Sequence, residues 1–209
     1  MTANAISLVT LALQARLLAA LRETGDLMSS VFVGPFDDPQ AQAASLSVFP
    51  YRIVPNASLR NTEHRVAAPM SSPPYIVYRD ALPLDVHYLI SVGKRLGVSE
   101  DPLLNVLGVA IQTMQKTPEL PGTTVMPVSG THVSLEPDVV RVTFEPLGTD
   151  EMSRIWALFP TANYRTSVAY VASPVWIDPA APTVVAAPVI QDRLGSGQRA
   201  SPSAVGSRP

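Results

Sequence analysis

The chain has 209 residues, with 15 basic side chains against 17 acidic ones and a net charge of −2. That balance argues against nucleic acid as the main ligand, because phosphate recognition needs a concentrated basic surface. No cysteine is present, which excludes disulfides, thiolate metal sites and a cysteine nucleophile. Only 15% of residues are charged and 21 are proline. A domain so short of charge covers apolar surface with uncharged polar groups or hides it in an assembly.

Residues 4–24 read as a first helix, with Ile6, Val9, Leu13, Leu17, Leu18 and Leu21 on one stripe and Gly25 as its stop. The run 5–21 is apolar enough to suggest a signal peptide. No basic residue precedes it, Gln14 and Arg16 interrupt it, and Arg22 and Glu23 stand where a cleavage site belongs. The expectation is a soluble protein without a targeting segment and without membrane insertion. Val31–Val33 then reads as a short strand closed by Gly34 and Pro35. Residues 44–54 alternate, with Leu46 and Val48 on one side and Ser45, Ser47, Phe49 and Tyr51 on the other. Pro50 removes a ladder donor, so this strand is an edge or is bulged there.

Residues 55–82 are rich in Pro, Ser and Asn and predict a long loop or irregular hairpin, with 75–78 as a short strand. The run from Leu84 to Ser91 places Leu84, Val86, Tyr88 and Ile90 on one face and Asp85, His87 and Ser91 on an outward polar one. A second helix starts near Ser99 or Asp101, carries Leu103, Leu107, Ala110, Ile111 and Met114 at helical spacing, and ends at Pro118. Residues 121–137 read as loop. A strand over 138–145 directs Val140, Val142 and Phe144 inward and Arg141, Thr143 and Glu145 outward. Thr149 predicts the cap of a third helix with Met152, Ile155, Trp156 and Phe159 as its stripe, and 165–177 returns as a strand. Residues 181–209 hold no aromatic, and from Arg193 onward little remains to bury, so a disordered tail is expected after a folded domain over 1–180. The order predicts an α+β or α/β fold, with a mixed, mainly antiparallel sheet and about three flanking helices.

Chemical motifs are sparse. His64, His87 and His132 lack helical metal-site spacing, and no HExxH, GxSxG, GxGxxG or phosphate loop occurs, so no catalytic, metal or cofactor residue is assigned. Asp85 and His87 share a strand face and could form two members of a triad, set against the plainer reading of an outward polar pair. Trp156 reads as core; Trp176 reads equally as core or interface.

Three segments carry a resemblance. They are Phe49–Asn61 (FPYRIVPNASLRN), Pro83–Ile90 (PLDVHYLI) and Val142–Leu147 (VTFEPL) running through Ile155 and Trp156 to Tyr164–Tyr170 (YRTSVAY). The helix segment Ala110–Met114 with Pro118 and Gly122 fits as well. In order and spacing they resemble the N-terminal domain family of tail-terminator (cap) proteins of extracellular contractile injection systems, over roughly residues 5–178. Pro50 and the short stretch between Ile90 and Asp101 depart from that pattern.

The resemblance implies a tail-terminator-like fold and a non-enzymatic role without cofactor. It implies a closed ring of identical subunits, expected to be a hexamer. That ring ends inner-tube and sheath growth at the end distal to the baseplate and anchors the sheath. It further implies inner-tube and sheath proteins as partners, with assembly in the cytoplasm as part of a phage-tail-like particle that is released in some systems. The turn Leu59-Arg60-Asn61 has no evident core purpose and is the candidate subunit or sheath contact; the alternative is a turn in which Asn61 satisfies local backbone. Rival readings are a tube or sheath-like subunit, a small hydrolase using Asp85 and His87, and an adaptor acting through its tail.

Overall fold

The computed structural model describes residues 3–25, 28–67, 75–93, 100–120 and 139–183. The first helix, α1 (Ala5–Glu23), ends as its sequence dictates: Gly25, at φ +93°, donates its N–H to the Arg22 carbonyl. Strand β1 (Val31–Val33) leads to α2 (Pro39–Ala43), a single turn in which Asp38 Oδ1 accepts from the Gln40 N–H at 2.7 Å. This fourth helix adds to the three expected; five residues are too few to show a periodicity.

The strands β2 (Leu46–Pro55), β5 (Leu82–Val92), β7 (Val140–Glu145) and β8 (Ser167–Ile177) form the centre of a six-stranded sheet, with β6 (Glu119–Leu120) at one edge. Its order is β1-β2-β5-β8-β7-β6. Every neighbouring pair is antiparallel except β1 with β2. The fold is therefore α+β, with a mixed, mainly antiparallel sheet. Strands β3 (His64–Ala67) and β4 (Tyr75–Tyr78) pair with each other as a separate two-stranded sheet. This is the irregular hairpin foreseen for 55–82.

Of the two alternatives at Pro50, the structure takes the bulge, in a stretch that has lost its β1 neighbour. Register shifts between Pro50 and Arg52, and β1 pairs with β2 only as far as Val48. Gly93 closes β5 where any side chain would strike the Ala44 carbonyl oxygen, and its own N–H donates to Ser45 O at 3.0 Å.

Helices cover both faces. On the first, Val9, Leu13, Leu17 and Leu21 of α1 join Leu103, Leu107, Ala110 and Met114 of α3 (Glu100–Lys116). They pack on Leu46, Val48, Val86, Tyr88, Ile90, Val142 and Ala172. Among the described helices α1 alone is long and apolar enough to span a membrane; Leu13, Leu17 and Leu21 are buried in this core, whereas Leu11 is exposed. On the second face, Phe36 and the end of α4 (Thr149–Trp156) cover Leu89 and Ala169. Phe36 stacks on Trp156 at 5.0 Å, and Phe159 meets both rings.

Three local expectations are corrected, and the open reading of Trp176 is resolved. His87 and Ser91 are buried rather than outward, because the second face is covered too. Phe144 lies on the inward face of β7 yet is 55% exposed, beyond the reach of the helices, with its ring edge-on to Tyr170. The α4 cap is Gly148, one residue before Thr149; the Gly148 N–H donates to the Glu151 carboxylate at 3.2 Å. Trp176 is core, stacked on His64 at 4.5 Å.

Candidate functional site

The chain leaves β2 at Pro55 and turns at once. Asn56 fixes that turn in four directions. Its N–H donates to the Pro83 carbonyl, and its Oδ1 accepts from the Leu59 N–H at 3.0 Å. Its Nδ2 lies 2.8 Å from Asp85 Oδ1 and 3.1 Å from Ser173 Oγ. The Thr62 N–H then bonds to the Leu59 carbonyl. Leu59-Arg60-Asn61 is thus the crest of a turn tied to β5 and β8. Leu59 is half-buried; Arg60 and Asn61 are exposed. The residue that satisfies the local backbone is Asn56, not Asn61. Its neighbours Asp85 and Ser173 are 29 and 117 residues away in sequence, so adjacent residues give no sign of the role.

Asp85 and His87 share a strand face but do not bond to each other. Asp85 Oδ1 accepts from Asn56 and from the Ser173 hydroxyl at 2.5 Å. His87 instead donates from Nδ1 to Glu145 Oε2 at 2.7 Å. The Tyr51 hydroxyl donates to the same oxygen at 2.8 Å, and Arg52 pairs with Glu145 Oε1 at 3.1 Å. Arg52 Nη2 lies 3.3 Å from His87 Nδ1 and 3.4 Å from Nε2. Burial beside the Glu145 carboxylate pushes the Tyr51 hydroxyl well above the usual tyrosine range, so it stays a donor.

A triad needs a hydroxyl nucleophile on the free nitrogen of the histidine. Among the described residues no serine or threonine hydroxyl bonds to His87, and its carboxylate partner also serves Tyr51 and Arg52. The cluster ties β2, β5 and β7 together across the second face. Tyr51, Arg52 and His87 each place one donor on the Glu145 carboxylate.

His64 begins β3 and is buried, with its Nδ1 2.6 Å from Asp178 Oδ1 and its ring between Trp176 and Tyr78. His132 lies outside the described residues. Among the described residues no group of three His, Cys, Asp or Glu side chains could hold a metal ion.

A family model, the Pvc16 N-terminal domain, matches residues 8–191. Two solved structures share the fold. The sheath/tube terminator of PVC, an extracellular contractile injection system, in its extended state, is 18% identical with a TM-score of 0.60. That match covers 95% of this chain and 65% of the other. The tube-terminating cap of the anti-feeding prophage is 18% identical with a TM-score of 0.57, covering 88% of this chain and 58% of the other. The chain therefore spans less than two thirds of the length of these chains. No curated protein sequence matches it.

Proposed function

The chain belongs to the Pvc16 N-terminal domain family, and from that premise we propose that it is a structural cap of a contractile injection particle, with no catalytic role. It ends inner-tube and sheath growth at the end distal to the baseplate and holds the sheath there. The observation that carries this reading is the fold itself, shared over nearly the whole chain with a sheath/tube terminator. The bonding of the polar residues agrees with it. Asp85, His87, Glu145 and Tyr51, the groups best suited to acid–base chemistry, are matched to one another or to neighbouring side chains.

A cap of identical subunits closes through heterologous contacts, each subunit offering two different surfaces to its neighbours. Six copies would follow the expected symmetry of the tube. The partners are then further copies of this chain, the inner-tube subunit and the sheath subunit. The particle assembles in the cytoplasm and acts after release. We assign the folding domain to residues 1–183, three residues past the boundary expected from the sequence, because Thr183 bonds to Val77 and Arg79, and read the residues after it as an appendage.

The Leu59-Arg60-Asn61 turn is the proposed contact with a neighbouring subunit or the sheath. Arg60 and Asn61 are exposed on a turn that Asn56 already holds, so their side chains are free of a folding task. The double substitution Arg60→Ala, Asn61→Ala should leave stability within ~0.5 kcal/mol, as expected for surface positions. It should also abolish the limit that added protein places on tube and sheath length. A variant that loses its circular dichroism signal, or one that still limits length as the parent does, overturns the assignment.

A further inference from the structure

We propose that the turn 57–62 and the strands β3 and β4 form an arm that opens from the main sheet as one unit, latched by a strap, residues 178–183, through the His64–Asp178 pair. Among the described residues the arm shares no ladder with the six-stranded sheet. Its two ends are fixed posts: Asn56, bonded to Pro83, Asp85 and Ser173, and the buried Ala81 before β5. Two paired strands of four residues do not hold together in water alone. The arm's order therefore depends on what clasps it.

The clasp is built from both sides. Beneath, the His64 ring lies flat on Trp176 of β8, 4.5 Å away with only 6° between planes. Beyond Trp176 the chain continues past Ile177 into the strap. Asp178 meets His64 at 2.6 Å with both side chains 4% exposed. The strap then crosses to the far strand. The Thr183 N–H donates to the Val77 carbonyl at 2.8 Å, and Thr183 Oγ1 accepts from the Arg79 N–H at 3.1 Å. Val66 and Val77 are buried within this clasp. A buried, hydrogen-bonded charged acceptor is expensive to leave without its donor, so the His64–Asp178 pair opens or closes as a unit. Strands β5 and β8, by contrast, are laddered on both sides along much of their length. Segments with fewer ladders open at lower free energy than such central strands.

The device has a consequence at the turn. Leu59-Arg60-Asn61 is separated from His64 by only Thr62 and Glu63, and the strap precedes the point where the chain runs on toward residue 184. A subunit seated on the turn would therefore bear on the strap through the His64–Asp178 pair and the Thr183 bonds to β4 and Arg79. That clause rests on the contact proposed above; the arm itself does not.

Native-state hydrogen exchange of the full chain tests the arm. The ladder amides of β3 and β4 should exchange together, at least tenfold faster than those of Val86–Ile90 and Ala169–Ala172. Asp178→Ala should speed the hairpin set a further tenfold or more and leave the β5 and β8 sets unchanged. Asp178→Asn, which keeps an oxygen for the His64 donor, should return close to the parent. Hairpin amides that exchange at the β5 rate in the parent protein overturn the proposal, and this holds even where Asp178→Ala fails to fold. Equal acceleration of both sets in Asp178→Ala, or of neither, overturns it as well. Length control by the Arg60/Asn61 variant is read separately, so failure of the contact and failure of the arm are distinguishable.

Discussion

The two faces of the sheet are built from the same strands but are closed by different means. The first lies under two long helices, and its side chains are apolar from Leu46 on β2 to Val140 on β7. The second has only the one-turn α2 and the eight-residue α4 beside it. Aromatic rings seal one end of that face, where Phe36, Trp156 and Phe159 cover Leu89 and Ala169. The other end is held by polar bonds, with Glu145 linking Tyr51, Arg52 and His87, and Asp85 linking Asn56 and Ser173. A polar residue at an alternate strand position therefore need not face solvent. Here it takes the place of a missing helix.

The comparison makes the two faces differ in what a truncation costs. Leu13 is fully buried against the first face, and Leu13→Ala should lower the unfolding free energy by about 2–5 kcal/mol through lost burial and a residual cavity. The urea midpoint reads this. Glu145→Ala on the second face removes one acceptor from several donors, and should cost about 1–3 kcal/mol, the penalty of leaving Tyr51 and His87 unpaired. Equal losses from the two variants would erase the distinction between an apolar and a polar closure.

Alkaline pH sharpens the same contrast with a smaller effect. Burial raises the hydroxyl pKa of Tyr88 on the first face to about 12, against an opposing hydrogen bond from Thr10. Burial also raises Tyr51 and Tyr170. A pKa that is higher in the folded state contributes stability that is full below the unfolded value and is lost as pH rises through the folded one. The urea midpoint should hold to about pH 10 and fall between there and pH 12. Tyr88→Phe should flatten that fall, and Tyr51 and Tyr170 contribute to the slope that remains.

Long elements were legible in the sequence because their periodicity repeats. The stripe Leu13, Leu17, Leu21 sets α1, Leu103 through Met114 sets α3, and the alternation from Leu84 to Ile90 sets β5. The bulge at Pro50 followed from a missing donor. What escaped is non-local. Asp85 and His87 do share a face, as their spacing requires, yet each finds its partners on other strands. Glu145 is 58 residues from His87, and only the sheet order brings them together. Asn56 gives no local sign that it holds both a turn and a neighbouring strand. The turn at Leu59–Asn61 was legible as a turn, whereas any contact it makes is a property of an assembly.

The proposed role of this chain is to end a tube. Negative-stain imaging of inner-tube and sheath subunits polymerising with and without the purified protein tests it most directly. A closed ring, near six subunits, should appear at one end of each tube, with tube length limited as protein is added. Decoration along the sides of tubes, incorporation of the chain into growing open filaments, or tubes of unlimited length with bare ends would contradict it.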